Sequence, residues 1–556
     1  MSFSAAVRDQ RHVLDHVVDI DALAGNDRFA NATPDVINSV LEGVAQFAEG
    51  AWAPLSQDGD RMGARWAPNG VSMPEGYVDA YRAYVNNGWG AVGVAKEWGG
   101  QGLPFVIQAA VLETLGSADM ALALCPILTA GAVEALQQHG TLAQRAFYLP
   151  KLATGEWTGT MNLTEPQAGS DVGALRATAT PRRDGTFSIK GTKIFISFGE
   201  HDLTENIIHF VLARTPDAPK GTRGISLFLV PKIRPDGTHN DVRAVSIEHK
   251  LGLHASPTCM LSYGDHDDCI GELVGPEFGG LRAMFTMMNN ARLNVGLQGV
   301  QVAEAATQKA VAYARERNQG LRDGMPAAIV EHPDVRRMLM RMRAQTLAAR
   351  ALVYYACGQA DRAGLGDPVA KDRLEIVTPL AKAHATDLGN EVASLGIQVH
   401  GGMGVIEETG AARFLRDARP TSIYEGTNGI QSADLVMRKL SLSDGAVFAA
   451  LIAEIRTEAC HPRVLALADA CEIVGEKLLH ADPDARLAAS YPFLTMLSVA
   501  TCGWLLGRLA KGGQSGARTA AFVAFYLDQI VPEALGLEAA ASAPASQLYA
   551  LAAGEI

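Results

Sequence analysis

Apolar residues at Val36, Ile37, Val40, Leu41, Val44 and Phe47 recur three and four positions apart, the spacing of one helical face. Thr33 stands where an N-cap belongs and Pro34 at the first helical position. Helical patterning continues to about residue 155, broken by the glycine-rich loop "EWGGQGLP". Near residue 156 the period changes. "TFSIKGTKIFIS", "IIHFVLART" and "GISLFLVPK" alternate or run apolar with β-branched and aromatic residues, and turn clusters such as "RRDG" and "RPDGTHND" separate them. From about 278 long helical patterns return: "ARLNVGLQGVQVAEAATQKAVAYARERN", "HPDVRRMLMRMRAQTLAARALVYYACGQADRA" and "RLEIVTPLAKAHATDLGNEVASLGIQVHGG". The order predicts an α+β chain, mostly α. It divides into an N-terminal extension (1–35), a helical domain (36–157), a small β domain (158–277), a helical bundle (278–440) and a helical C-terminal extension (441–556). The alanine-rich tail looks appended, and no fixed-period repeat is present.

Composition narrows the class. The 556 residues are 48% apolar and 19% charged, as in ordinary globular proteins. A formal charge of −12 argues against a general nucleic-acid binder. None of the seven cysteines (125, 259, 269, 357, 460, 471 and 502) forms C-x-x-C, which suits reduced thiols in the cytoplasm. "GDHDDC" (264–269) resembles a metal loop, but an acid-rich turn is the commoner outcome, and no metal is expected. Charges interrupt the N-terminus every few residues, so it does not read as a secretory signal. "FLTMLSVATCGWLLGRLA" is shorter than the roughly 20 residues of a membrane span. It reads as a buried helix, and no membrane insertion is expected.

Four short stretches could carry chemistry. "MNLTEPQAGSDVG" (161–173) gathers hydroxyls and backbone N–H groups in a tight loop. On physics alone the better reading is a capped turn, with Glu165 and Asp171 satisfying backbone donors. "KIFISFGEHD" ends a strand near Phe195 and Ser197; such an aromatic is usually core, or else a wall for a flat ring. "QVHGGMGVIEE" is a glycine turn in which His400 reads as a structural histidine. "SIYEGTNGIQ" (422–431) holds one carboxylate, Glu425, and alone would be a surface turn.

Taken in this order on this layout, "LTEPQAGSD", "KIFIS", "QVHGGMG" and "IYEGTNGIQ" resemble the acyl-CoA dehydrogenase family over about residues 40–440. The longer chain, with "GEWTGTMNLTEP", "RTPDAPKGTRGISLFLVPK" and "RDARPTSIYEGTNGIQ", is most similar to the 3-methylmercaptopropionyl-CoA dehydrogenase-like subgroup. The resemblance implies a small β-barrel as the middle domain, a four-helix bundle after it, and FAD as cofactor. It implies that Glu425 removes the α-proton of an acyl-CoA while the β-hydride passes to flavin N5, giving a 2,3-enoyl-CoA.

Residue by residue, the resemblance places Met161, Leu163, Thr164 and Ser170 at the flavin or the acyl-CoA, with Phe195 and Ser197 beside the ring. Arg317 would reach the FAD pyrophosphate of a neighbouring subunit. Gln398, Gly401 and Gly402 would meet the adenosine end, and Thr427 and Gly429 would touch FAD. Ser170, Arg292, Tyr424 and Gly426 would contact substrate; for Arg292 a helix-surface salt bridge is the other reading. A homodimer or homotetramer is implied, as is an electron-transferring flavoprotein as electron acceptor. Asn162 and Met161 depart from the family's usual small and aromatic residues. "RERNQG" lacks the usual phenylalanine, and Pro333 interrupts a helix-start region. Two alternatives stay open: a flavoenzyme of the same fold with monooxygenase or desulfinase chemistry, or a non-catalytic partner-binding paralogue.

Overall fold

The computed structural model describes residues 3–459, 461–512 and 516–556. Eight helices open the chain: α1 (Val7–Val13), α2 (Ile20–Ala24), α3 (Pro34–Phe47), α4 (Ser56–Met62), α5 (Tyr77–Asn86), α6 (Phe105–Ala118), α7 (Met120–His139) and α8 (Leu142–Thr154). The α3 cap is as expected: Thr33 Oγ1 accepts from the Val36 N–H at 3.3 Å, and Pro34 begins the helix. Val13, Leu14, Val17 and Val18 are buried in the same core as α3, α6 and the later bundle. The N-terminal segment is therefore part of the main packing unit. A small hairpin, β1 (Arg65–Ala67) with β2 (Gly70–Ser72), lies between α4 and α5 and has no counterpart in the sequence reading.

Eight strands follow: β3 (Thr158–Asn162), β4 (Thr178–Pro181), β5 (Phe187–Ser197), β6 (Ile207–Ala213), β7 (Ser226–Pro231), β8 (Val242–Ile247), β9 (Thr258–Tyr263) and β10 (Ile270–Val274). They form one sheet in the order β3-β6-β7-β10-β5-β9-β8, with β4 added along β5. Strands β3 and β6 pair in parallel, and the other strand pairs of this sheet are antiparallel among the described residues. Every residue of β6 and β7 is buried, because both faces of these strands are covered. Ile208, Phe210 and Leu212 face a helix-side core, while Val211 and Ala213 face a second core inside the sheet. This is the two-residue alternation of a strand working on two apolar sides. The acid-rich turn 264–269 pairs its charges: Asp265 with Arg243, Asp267 with Lys190, and Asp268 with Arg234.

The bundle is built on α9 (Gly280–Glu316), α10 (Pro333–Gly364) and α11 (Pro368–His400). Pro333 occupies the first turn of α10 and starts that helix rather than interrupting it. Between α9 and α10 the chain forms a hairpin, β11 (Asn318–Arg322) with β12 (Met325–Ala328), turning at Asp323 and Gly324 with φ of 50° and 80°. Helices α9 and α11 cross back to back at Gly299 and Gly389. A Cβ on Gly299 would lie 2.1 Å from the Ala385 carbonyl oxygen, so only glycine permits the approach. Short helices α12 (Ala411–Ala418) and α13 (Asn428–Asp434) complete this region.

The C-terminal part adds α14 (Ala446–Glu458), α15 (Pro462–His480), α16 (Pro483–Lys511) and α17 (Ala517–Phe525), with shorter helical turns to the end. Leu451, Phe493, Leu497, Trp504 and Tyr526 are buried in the main core, so this part is integrated and not an appendage. The apolar stretch expected to be too short for a membrane span belongs to the 29-residue α16, 78% of whose apolar window is buried. By length and composition α7, α16 and the segment Ala517–Ala541 could each cross a membrane. Their apolar windows are 83%, 78% and 33% buried. Six cysteines are free and buried, and Cys460 lies outside the described residues.

Candidate active site

Two surfaces, joined by α9, carry most of the candidate residues. The first lies on the sheet. Lys193 Nζ donates to the Leu163 carbonyl at 2.9 Å and to Glu165 Oε1 at 2.8 Å, and the Ile194 N–H donates to the Thr164 carbonyl at 2.9 Å. The loop Leu163–Glu165 is thereby laid alongside Lys193–Phe195. Glu165 also accepts from the N–H groups of Arg176 and Ala177, at 2.6 and 3.0 Å. For Glu165 the capped-turn reading is correct. Asp171 makes no side-chain cap.

Phe195 is not core. A register shift in β5 between Lys193 and Ile196 puts it at φ 58° with 59% of its surface exposed. A bulge at this point aims an aromatic face outward. The hydroxyls of Thr164, Ser170 and Ser197 make no hydrogen bond to a described residue. An exposed ring flanked by Thr164 and Ser197, whose hydroxyls are unengaged among the described residues, suits a planar, polar-edged ligand such as a flavin. Met161 lies behind this surface, 8% exposed, in the core shared with Met284 and Met287 of α9. Asn162 points into the sheet, where its Oδ1 accepts from Tyr263 OH at 2.9 Å.

The second surface is the turn around Glu425. Glu425 and Gly426 have φ of 55° and 85°. A left-handed glutamate is uncommon and persists only where its surroundings fix it. The turn is held at several points. Tyr424 OH donates to Gln298 Oε1 of α9 at 2.6 Å. Lys382 Nζ of α11 donates to the Gly426 carbonyl at 2.9 Å, and Gln431 Nε2 reaches the Glu425 and Gly426 carbonyls at 3.3 and 3.4 Å. Thr427 caps α13, its Oγ1 accepting from the Ile430 N–H at 3.1 Å. Gly429, in the first turn of α13, is exposed.

The Glu425 carboxylate enters no salt bridge with a described residue. Burial raises its pKa, and the nearby charges of Arg292 and Lys382 pull it part of the way back. Its backbone N–H makes no hydrogen bond to a described residue. Arg292 forms no ion pair with a described residue either, which removes the surface salt-bridge reading, and its Nε is buried without a partner. Burial lowers its pKa, while Asp434 and Glu425 raise it. Lys382, fully buried, is pushed down to about 8 by desolvation, against the pull of Glu425 and Asp387. The chemistry available is a carboxylate with raised basicity, a free N–H beside it and two flanking cations.

Arg292 also lines a cavity of about 500 Å³ with Trp98, Gln108, Glu134, Asn289 and Asn290. Burial pushes the Glu134 carboxyl up to about 7, and Asn290 Nδ2 donates to it at 2.6 Å.

Arg317, Gln398, Gly401 and Gly402 lie elsewhere. Arg317 is about 37 Å from Arg292 along α9, at ~1.5 Å per residue. Tyr313 stacks on His400 at 4.4 Å, which brings the Arg317 end of α9 to the Gln398–Gly402 end of α11. All four residues are exposed there. His400 is structural, as expected: its Nδ1 lies 2.7 Å from the Gly396 carbonyl. Sequence reasoning missed Gln298, Lys382, Asn428 and Gln431. The one signal for Lys382 was a lone charge in the apolar run "TPLAKAHAT".

Family models for the N-terminal, middle and C-terminal domains of acyl-CoA dehydrogenases match residues 37–156, 160–266 and 279–440. A 3-methylmercaptopropionyl-CoA dehydrogenase of Ruegeria pomeroyi is 46% identical over 553 residues, 93% of each chain. The chain belongs to the acyl-CoA dehydrogenase family. It is an oxidoreductase, and FAD is the family's cofactor. A butyryl-CoA dehydrogenase of Syntrophomonas wolfei is 35% identical, covering 81% of this chain and 77% of its own. Among solved structures, butyryl-CoA dehydrogenase from Megasphaera elsdenii superposes with a TM-score of 0.61 at 27% identity. It covers 72% of this chain and 96% of its own. Caenorhabditis elegans ACDH-11 in complex with C11-CoA, at 20% identity, shares the fold with a TM-score of 0.78, over 93% of this chain and 89% of its own.

Proposed function

We propose that this acyl-CoA dehydrogenase performs α,β-dehydrogenation of a short acyl-CoA thioester, with 3-methylmercaptopropionyl-CoA the leading candidate and Glu425 the base. The observation that carries the reading is the Glu425 turn: an unpaired carboxylate of raised pKa, fixed in a left-handed turn between Arg292 and Lys382. The α-proton of a thioester is weakly acidic, so its base must be desolvated and its carbonyl polarised. The Glu425 carboxylate takes the proton, and the free N–H of Glu425 is the donor available to the thioester oxygen. Burial makes the carboxylate more basic, and the Arg292 and Lys382 charges favour its ionised form and offset part of that rise. Phe195, Thr164, Ser170 and Ser197 would hold the flavin, and FAD when bound supplies the acceptor for the β-hydride.

Support for the acyl group is the 46% identity to the Ruegeria enzyme. The exposed cluster of Arg317, Gln398, Gly401 and Gly402, far from the Phe195 surface, supports a homodimer or homotetramer in which one subunit completes the FAD site of another. An electron-transferring flavoprotein as acceptor follows from the chemistry: reduced FAD must pass on its electrons. The free, buried cysteines support a cytoplasmic enzyme.

Flavin bleaching of the FAD-loaded protein by 3-methylmercaptopropionyl-, butyryl-, isobutyryl- and octanoyl-CoA tests the reading. Rapid bleaching, fastest with the thioether substrate, is the expected result. A purified protein that binds FAD and is bleached by none of the four would overturn it.

A further inference from the structure

The reaction as read above gives α16 no part, yet this C-terminal helix packs on α13, which follows the catalytic turn, and on α11. A continuous hydrogen-bonded chain leads from α16 to that turn. Tyr491 OH donates to Asp387 Oδ2 at 2.5 Å. Asp387 Oδ1 accepts from Asn428 Nδ2 at 2.8 Å. Asn428 Oδ1 accepts from Lys382 Nζ at 2.8 Å, and the same ammonium donates to the Gly426 carbonyl at 2.9 Å. Gly426 is the residue after Glu425.

The chain has one sense. Flipping the Asn428 amide would set its NH2 against the Lys382 ammonium and its oxygen against the Asp387 carboxylate, so the orientation is fixed at both ends. Thr386 Oγ1, 3.0 Å from Asn428 Nδ2, adds a further fixed contact. Lys382 is fully buried and Asn428 is 5% exposed, so water competes little for the bonds these two residues make, while the Tyr491–Asp387 link lies nearer solvent. At the far end stand Glu425 and Gly426 in left-handed conformation, a geometry that lasts only while neighbours over-determine it. Fixing the Gly426 carbonyl fixes the Gly426–Thr427 peptide plane, one link beyond Glu425, and so helps to hold the turn from which the carboxylate projects.

We propose that Tyr491 is a positioning residue for the reaction, holding the Glu425 turn through Asp387, Asn428 and Lys382. The C-terminal helices thus take part in the active site by orienting its base. The inference rests on Glu425 being that base.

The test is Tyr491→Phe in the full-length, FAD-loaded protein. The change removes one hydroxyl from a ring that is 45% exposed, so the packing is kept. Stopped-flow bleaching with butyryl-CoA and 3-methylmercaptopropionyl-CoA separates the limiting rate of flavin reduction from the acyl-CoA Kd. The limiting rate is expected to fall roughly fivefold, the scale of one hydrogen bond, with Kd and Tm unchanged. Asp387→Asn is expected to fall at least as far, and the double variant no further than Asp387→Asn alone, because both changes cut one chain. An unchanged rate in Tyr491→Phe overturns the proposal. So does a fall in rate that follows a fall in Tm, or two effects that multiply. A wild-type protein bleached by none of the four acyl-CoAs named above overturns the reading of the site on which the inference rests, a result distinct from an active wild type with an equally active variant.

Discussion

Glu165 and Lys193 form a buried ion pair, 2.8 Å apart with side chains 4% and 0% exposed, beneath the surface that carries Leu163, Thr164 and Phe195. Each partner also bonds loop backbone: Glu165 accepts from Arg176 and Ala177, and Lys193 donates to Leu163. Lys193→Met would leave the carboxylate buried with its cation gone, a change that costs about 3–5 kcal/mol. The pH dependence follows from the folded pKa of Glu165. Burial raises it, but Lys193 and the two N–H groups more than offset this, and the net shift is downward. A depressed carboxyl contributes stability above its unfolded pKa and loses it as pH falls through the folded value. In the variant Glu165 loses its cation, so it protonates at higher pH and is relieved of its buried charge. Urea unfolding should therefore show the full gap between wild type and variant at pH 7 and a narrower one at pH 4.

Phe195 carries the second prediction. Its ring is 59% exposed, so removing it takes little from the core. Phe195→Ala should leave the Tm of the FAD-free protein unchanged and weaken FAD binding. An aromatic stacking contact of about 0.5–1.5 kcal/mol corresponds to a Kd higher by roughly twofold to just over tenfold. Flavin fluorescence titration checks the second part and differential scanning calorimetry the first. A lower Tm with unchanged FAD affinity would make Phe195 a packing residue.

What was legible in the sequence depended on how local the physics is. The α3 cap at Thr33 and the alternation through Ile208, Phe210 and Leu212 follow from neighbouring residues, and both were readable. The β11–β12 hairpin was missed although its Asp323-Gly324 turn pair stood in the sequence. Phe195 was read as a strand-end aromatic because alternation does not encode a bulge or a positive φ. Local physics favoured a turn for Glu425, and it does sit in a turn; the base came only from resemblance. The supports of that turn come from Gln298, Lys382 and Gln431. They lie on three helices, and it is tertiary packing, closest at Gly296, Gly299 and Gly389, that brings α9 to α11. No window of sequence contains that information.

Arg292 gives a prediction with a sign. It is one of two cations that lower the pKa of Glu425 against the effect of burial. The base works when deprotonated, so the limiting rate of flavin reduction should rise with pH through the Glu425 pKa. Arg292→Gln removes a charge of the favouring sign, raises that pKa, and should move the acid limb of the pH–rate profile to higher pH. Stopped-flow reduction at saturating butyryl-CoA between pH 5 and 9 would show it. A limb that stays in place, with only the Kd for acyl-CoA increased, would limit Arg292 to binding.

Glu425→Gln separates catalysis from folding in one variant. The amide keeps the shape of the side chain but cannot accept the α-proton, so FAD and acyl-CoA should bind as before while flavin reduction falls by about 10²–10⁴-fold, the scale of a general base. Near wild-type bleaching in the variant would place the base elsewhere. The stability effect runs the opposite way. The folded pKa of Glu425 lies above its unfolded value, so ionising it costs more in the folded protein than in the unfolded chain. That cost is present at neutral pH, where both states are ionised or becoming so, and absent below the ordinary carboxylate range, where both are protonated. Glu425→Gln, which cannot ionise, should therefore raise Tm at pH 8, and the gain should vanish as pH falls toward 4. A variant that loses activity and gains stability with this pH dependence would show that the fold bears an energetic cost at Glu425 for the sake of its basicity.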